Sequence, residues 1–325
     1  MEKYEMTVVT TTYNQEKYIE QCVKSILSQK TNFKYQLIVS NDKSTDRTEE
    51  ILKNLSKKYH DKLKVINQNH NLGPMENFIT TLNEVHTKYV ALCDGDDYWT
   101  DINKLQKQYD FLEKNLDYNI CFHQTTIIYE NEDKKKRYYP NNIKETLSLD
   151  DLIKENFIPA NSVVYRWKYQ SKNSLINDFP KNIVPGDYYL HLIHAKGGKI
   201  KYLNQPMSVY RIQKEGMWYL TTQPKKQNEF YFLYGEKYYN FYKQVEIKLN
   251  KPDAFNDTQK WILKGYIKAI IKKREKDKLL NILKNEYDNN FETISSALKK
   301  SNIFDKYFYY RVKRTFINDR KKAKL

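Results

Sequence analysis

KYVALCDGDDYW, residues 88–99, is the stretch on which the fold turns. Five largely apolar residues, 89–93, read as a short buried strand, and the strand runs straight into Asp94, Asp96 and Asp97. Carboxylates this close repel one another, and withdrawing them from water costs more still. A positive partner is therefore expected there. Asp94 and Asp96 flank Gly95, which lets backbone approach closely. Two carboxylates so spaced suit a hard divalent cation, Mn2+ or Mg2+, that takes oxygen ligands and completes its shell with substrate phosphates. Alone, a solvated acidic turn would account for the same residues; the surrounding chain decides between the two.

Working outward, the first 130 residues alternate between two periods. TVVTTTY (7–13), YQLIVS (35–40), KLKVIN (62–67) and KYVALC (88–93) are strand-like. QEKYIEQCVKSILSQ (15–29) places Tyr18, Ile19, Cys22, Ile26 and Leu27 on one helical stripe. DRTEEILKNLSKKY is a second helix, with Asp46 placed to N-cap it and Glu49 at the capping-box position. NFITTLNEVH and INKLQKQYDFLEKN complete the set. Strands joined by crossover helices imply a largely parallel sheet covered on both faces, in which ligands bind beyond the carboxyl ends of the strands. The unusual polar residues collect at that edge: Tyr13 and Asn14 after the first strand, Asn41, Asp42, Ser44, Thr45 and Asp46 after the second, Asn69, Asn71 and Gly73 after the third, and the three aspartates after the fourth.

Residues 119–215 mix shorter elements. NICFHQTTIIYE, SVVYRW, KIKYLN and MSVYRI read as four separate strands, DKKKRYYPNN as a charged loop and SLDDLIKEN as a short helix. GDYYLHLIHAKGG reads as a helix that starts after Pro185 and stops at a glycine cap. From about residue 224 onward the pattern is helical.

The bulk numbers fit this reading. The chain has 325 residues, enough for one large domain or two ordinary ones, and 40% of them are hydrophobic, which excludes global disorder. Three widely spaced cysteines argue against a disulfide framework and fit a reducing cytoplasm. The N-terminal MEKYEMTVVT lacks a signal-peptide core, and no run of about 18 apolar residues suggests a membrane span. A net charge of +16 favours anionic company, and residues 299–325 supply +8 of it.

Four motifs, in order and at fitting spacing, carry a resemblance: VVTTTYNQEKYIEQCVKSILSQ, LIVSNDKSTDRT, NQNHNLGPMENF and KYVALCDGDDYWTDINKLQKQYDFLE. They resemble the family 2 glycosyltransferases, the large inverting class of GT-A fold, and within it a bacterial polysaccharide-type subgroup. The resemblance covers about residues 5–215 and implies a mixed, mostly parallel sheet flanked by helices. It also implies a catalytic domain over 1–220, with a nucleotide-sugar half to about 118 and an acceptor half beyond. Residues 221–325 would form a basic helical extension.

The implied roles follow residue by residue. Thr12, Tyr13 and Asn14 match the turn lining the nucleotide pocket. Asp42 matches the carboxylate that accepts from the uracil N–H, with Asn41 where the family has aspartate and Lys43 where it has glycine. Asn71 and Gly73 match the loop after strand three. Asp94 would contact the ribose or the metal's shell, Asp96 would bind Mn2+ or Mg2+, and Asp97 would hold a ligand water or brace the loop. Asp187, opening the later helix, matches the general base; helix N-terminal charge complementarity is the plain alternative. In PMSVYRIQKEGMW, Arg211 would meet phosphate and Gln213 stands at the usual histidine position. His123 matches a histidine on the acceptor side, or is a core histidine.

The expected partners are a nucleotide-sugar donor, a UDP-sugar above others, and a glycan, lipid-linked or glycoprotein acceptor; nucleic acid is not expected. The implied place of action is the cytoplasm. WILKGYIKAIIKK and the basic tail have the layout of interfacial helices, so an anionic inner membrane face is a further expected partner, against simple helix packing. Two rival functions remain: a nucleotidyltransferase on a related sheet, and a non-catalytic protein binding nucleic acid or membrane through the tail. Sequence leaves the transferred sugar, the linkage and the oligomeric state open.

Overall fold

The structure is a computed structural model describing residues 4–130, 135–171, 174–214, 216, 219–298 and 302–322. The chain divides into two compact units: Met1–Lys181 with Pro185–Gln213, and Asn182–Val184 with Lys214–Leu325.

The first unit is built on one ten-stranded sheet. Its first half follows the alternating pattern: β1 (Met6–Thr12), α1 (Ile19–Leu27), β2 (Tyr35–Asn41), α2 (Thr48–Lys58), β3 (Leu63–Asn67), α3 (Pro74–Leu82) and β4 (Tyr89–Leu92). β5 (Tyr98–Trp99), α4 (Lys104–Lys114), β6 (Tyr118–Tyr129), β7 (Arg137–Tyr139), β8 (Thr146–Leu147) and α5 (Leu149–Lys154) come next. A 3-10 turn at Ala160–Ser162 leads into β9 (Val164–Arg166), and α6 (Ser174–Asp178), α7 (Gly186–Ala195) and β10 (Lys199–Ile212) complete the unit. The strand order is β3-β2-β1-β4-β9-β6-β10-β5. β3, β2, β1 and β4 run parallel, β9 is antiparallel to both β4 and β6, and β6 and β10 are again parallel. The sheet is thus mixed and mostly parallel, as the motifs implied.

Burial explains the central strands. β1 and β2 are covered on both faces, which is why TVVTT and QLIVS read as near-continuous β-branched runs rather than alternating ones. α1 buries Ile19, Cys22, Val23 and Ile26. Its expected start at residue 15 is four residues early, because Gln15 is held in a turn by Thr48. At α2 the expected capping box is replaced by a bridge. Asp46 accepts from the Thr48 N–H with one oxygen and from the Glu16 N–H with the other, pinning the start of α2 to the β1–α1 turn.

Two further expectations change, and one short strand appears that the sequence pattern did not mark. KIKYLN and MSVYRI form one strand, β10, interrupted by a register shift between Leu203 and Ser208. The glycine cap of α7 is not left-handed, since among described glycines only Gly73 has positive φ. Gly197 and Gly198 are instead required by proximity: a Cβ on either would lie within 2.9 Å of Asn119. Finally, Tyr98 and Trp99 form β5, which pairs antiparallel with Ser208 and Val209 and so staples the acidic turn to β10.

The second unit is helical: α8 (Tyr219–Thr222), α9 (Gln227–Leu249), α10 (Asn256–Lys273), α11 (Lys276–Glu286), α12 (Phe291–Ala297) and α13 (Ile303–Lys322). Two glycines set its tightest crossing. A Cβ on Gly235 of α9 would meet Tyr266 at 2.7 Å, and one on Gly265 of α10 would meet Tyr231 at 2.7 Å. α10 buries Ile262, Leu263, Tyr266, Ile267, Ala269, Ile270 and Ile271 against its neighbours. The face read as interfacial is therefore consumed by this unit's own core, with Trp261 left exposed at its margin. In the basic tail, residues 299–301 and 323–325 lie outside the described residues.

Candidate nucleotide and cation site

The acidic turn is assembled from both sides of the sheet. Cys93 N–H bonds to the Val9 carbonyl and Gly95 N–H to the Thr11 carbonyl, so the turn leaves β4 still zipped to β1. Thr11 Oγ1 donates to Asp94 at 3.5 Å. A Cβ on Gly95 would lie 2.4 Å from Gln15 Oε1 and 2.9 Å from Thr12, so only glycine fits between the two carboxylates. Thr12 Oγ1 in turn donates to Gln15 Oε1 at 2.8 Å.

Asp97 is fully engaged. One of its oxygens accepts from the Arg211 N–H at 2.9 Å and the other from Asn161 Nδ2 at 2.9 Å. Asn161 also donates to the Val209 carbonyl and accepts from Thr125 and Ser208. These bonds tie the acidic turn to β10 and to the 3-10 turn. Asp94 and Asp96 are half-buried and open toward solvent. Gln213 Nε2 donates to Asp96 Oδ2, and Arg211 Nε donates to the Asp96 carbonyl at 2.7 Å. The Arg211 guanidinium lies between the rings of Tyr18 and Tyr98, 5.1 and 4.8 Å from their centres, and also donates to Gln21. Beyond Lys214 the described chain thins out: Glu215, Met217 and Trp218 of the motif lie outside it.

Asp187 reaches the same recess from α7. Gly186 presses that helix start onto α3, where a Cβ would lie 2.5 Å from Met75 Sδ. Burial raises the Asp187 carboxyl above the usual range, while the Tyr188 N–H and its own N–H pull it down. Burial, then the charges of Asp96 and Asp187, push Asp94 up to about 7. Burial also raises Asp96, against the Gln213 and backbone hydrogen bonds and the Arg211 charge. Asp94 therefore feels one carboxyl from its own turn, Asp96, and one from the distant α7, Asp187, and this crowding favours the proton over the free charge.

The neighbouring turns form a polar wall. Both oxygens of Asp42 accept backbone N–H bonds, from Leu72 at 2.7 Å and Gly73 at 2.9 Å, and Asn71 donates to its carbonyl. Asp42 is thus the clamp of the β3–α3 loop. Asn41 donates to Asn67 Oδ1 and accepts from Ser44, and an aspartate could not supply that donor. Asn14 sits at φ 53° and accepts from the Thr45 N–H. Lys43 adopts φ 59°, the left-handed region, at the position where the family carries glycine. Tyr13 is 46% exposed at this edge and leaves its ring free to stack.

His123 differs from the acceptor-side expectation. It is fully buried in β6, with Nδ1 against the Gln124 carbonyl and Nε2 without a partner, and burial holds its pKa well below the usual value. A central strand turns this ring into the core, where it stays neutral. Reading the sequence missed Gln15 and Asn161. Gln15 lay inside a quoted motif as one polar turn residue among several. Asn161 comes from a 3-10 turn 64 residues beyond Asp97, so no local spacing marks it.

Among the described residues, no group of three or more His, Cys, Asp or Glu side chains converges tightly enough to hold a metal ion alone. The donor set still fits Mn2+ or Mg2+ if a diphosphate completes it, because Asp94 and Asp96 offer hard oxygens in a recess where crowded carboxyls hold a proton that a cation can replace.

Residues 7–174 match the model of the family described as "Glycosyl transferase family 2". The chain is 38% identical over 214 residues, 66% of its length, to the uncharacterized protein Rv1520 of Mycobacterium tuberculosis, and spans 60% of that relative. S. aureus TarS 1-349 in complex with UDP-GlcNAc superposes with a TM-score of 0.57 at 17% identity, covering 96% of this chain and 80% of that one. The mannosyltransferase PcManGT from Pyrobaculum calidifontis, in complex with GDP-Man and Mn2+, superposes at 0.52 and 12% identity, with 97% and 87% covered. The two superpositions share this chain's GT-A fold, and with more than half of its length matched by the family model, the chain belongs to glycosyl transferase family 2.

Proposed function

We propose that this protein is an inverting glycosyltransferase. It moves a hexose-type sugar from a nucleoside-diphosphate donor, a UDP-sugar above others, to a hydroxyl of a glycan, lipid-linked or glycoprotein acceptor. The observation that carries this reading is that Asp94, Asp96 and Asp187 face one recess at the carboxyl edge of the sheet, close enough that Asp96 and Asp187 both raise the proton affinity of Asp94.

In this reading Tyr13 stacks on the base, and Thr12, Asn14, Asn71 and Gly73 shape its pocket. Asp42 holds the loop while a remaining lone pair accepts the base N–H. Asp94 and Asp96 would hold the cation together with the donor diphosphate, and Arg211 adds a fixed positive charge beside them. A cation held there would supply Lewis-acid stabilisation to the leaving diphosphate. Asp187 accepts the acceptor's hydroxyl proton as that oxygen bonds to the anomeric carbon and the bond to the diphosphate oxygen breaks. Its raised proton affinity suits a base that must hold the proton through the step. Gln213 caps Asp96 and must turn aside, or present its carbonyl oxygen, when a cation binds. All three cysteines are free and buried, which fits the cytoplasm as the place of action. Among described residues no helix is long and apolar enough to cross a membrane.

A nucleotide-sugar panel with Mn2+, read by UDP release and by thermal shift, tests the reading. Asp96→Asn is expected to abolish cation-stimulated UDP release. Asp187→Asn is expected to keep donor binding and lose transfer by at least about 100-fold. Near-normal turnover of Asp96→Asn removes that residue from the cation site, and pyrophosphate in place of UDP among the products identifies a nucleotidyltransferase.

A further inference from the structure

α13 has two opposite faces of different chemistry. Tyr309, Val312 and Phe316 are buried and face the helical unit. At about 100° per residue, the stripe on the far side carries Tyr307, Tyr310, Arg311, Arg314 and Ile317. Tyr307 is 68% exposed, Tyr310 60% and Ile317 38%, and both arginines are exposed. The two aspartates of the helix lie elsewhere: Asp305 is partly buried and pairs with Arg274 at 3.0 Å, and Asp319 falls on the flank. No carboxylate shares the stripe, and neither arginine has an ion-pair partner among the described residues.

We propose that this stripe docks the protein on an anionic lipid bilayer surface, with Arg311 and Arg314 on headgroup phosphates and Tyr307, Tyr310 and Ile317 at the headgroup–acyl boundary. The mixture of residues selects the partner. A free polyanion would use the arginines and leave two tyrosines and an isoleucine in water. A second copy docking through the same face would set arginine against arginine across the two-fold axis. An anionic bilayer satisfies both halves, because tyrosine places its ring in the apolar layer and its hydroxyl in the wet one. The stripe differs from α10, whose apolar residues other than Trp261 are already buried and whose lysines only flank them. The inference uses none of the donor-site residues, so it stands or falls apart from the transferase reading.

The test is co-sedimentation of the full chain with vesicles of phosphatidylcholine alone and of equal parts phosphatidylcholine and phosphatidylglycerol. Binding to the mixed vesicles only is expected. Arg311→Gln/Arg314→Gln should weaken it about 30-fold, and Arg311→Lys/Arg314→Lys should retain most of it. Tyr307→Ser/Tyr310→Ser should remove the part that survives high salt. All three variants should keep the wild-type thermal midpoint, since the altered side chains are exposed, and Lys53→Gln/Lys57→Gln on α2 should bind like wild type. Any of four results overturns the proposal. The first is a wild type that does not pellet with the mixed vesicles. The second is stripe variants that pellet unchanged. The third is an α2 pair that weakens binding equally, which assigns it to net charge. The fourth is displacement of the protein by soluble polyphosphate while the tyrosine variant binds as wild type, which makes the stripe a polyanion site.

Discussion

Lys104 carries an unpaired amine into the core. It is fully buried, its Nζ has no hydrogen-bond partner, and it sits 4.0 Å from the centre of the Trp99 ring. Burial lowers its pKa to about 7, with the Cys93 and Cys121 thiols acting weakly the other way. Because the folded value lies below the unfolded 10.5, the unfolded chain binds the extra proton between those limits, and this group's contribution to stability rises with pH across that window. Lys104→Met keeps the stem and removes the amine. Urea unfolding should show it more stable by about 4 kcal/mol at pH 7, with the gain nearly gone by pH 10.5. Lys43 offers a smaller effect of the same sign: relieving φ 59° by Lys43→Gly should add about 0.5–1 kcal/mol, net of the extra freedom glycine gives the unfolded chain. At Asp94 the folded pKa is raised from 3.8 to about 7, so the folded state holds the extra proton and metal-free stability falls as pH rises through that range. In the proposed function a cation bound there would take the proton's place. The midpoint gain from Mn2+ with UDP should therefore grow as pH passes about 7. His191 and His194, both pushed down to about 3, destabilise the protein on acidification in both arms of that comparison and cancel from the difference. The three aspartates were legible in the sequence because charge at the end of an apolar run violates a local rule. Asn161 was not, because a polar residue in a polar turn violates none.

Elements were legible wherever a residue pattern has its own period. Strands one to four and helices one to four satisfy that, since the strands are buried within the sheet and each helix buries its main face against it. β5 has only two residues and exists because β10 passes beside it, so its signal lies 109 residues away in Ser208. The same limit explains α10. Its apolar stripe has the same sequence signature whether it faces lipid or another helix, and the deciding partner is α9. That pairing rests on Gly235 against Tyr266 and Gly265 against Tyr231. Gly265→Ala and Gly235→Ala should each gain helix propensity, about 1 kcal/mol, yet lose more to overpacking. A net loss of about 1–2 kcal/mol is expected by chemical denaturation followed at a helical wavelength. Stabilisation by either change would mean that the two helices do not approach this closely.

At the scale of the whole molecule, the motifs end where the helical unit begins, and that unit contributes only a helical pattern and positive charge to a reader of the sequence. All proposed donor-site residues belong to the first unit. A ligand that binds only the folded state stabilises it by RT ln(1 + [L]/Kd), about 2.7 kcal/mol at a hundredfold excess, or roughly 5–10 °C for a unit of about 200 residues. Tryptophan can report on that unit separately. Trp99 and Trp167 are buried in the first unit, so Trp218→Phe/Trp261→Phe leaves fluorescence reporting there alone. Far-UV circular dichroism follows the helices of both units. With UDP and Mn2+ present, the fluorescence transition should move up by that interval. A dichroism transition that moves with it in full would mean that the units unfold as one, and one that splits would separate them. An unmoved fluorescence transition at saturating ligand would leave the acidic recess without its nucleotide and cation, because no site in that unit can bind both and leave its unfolding unchanged.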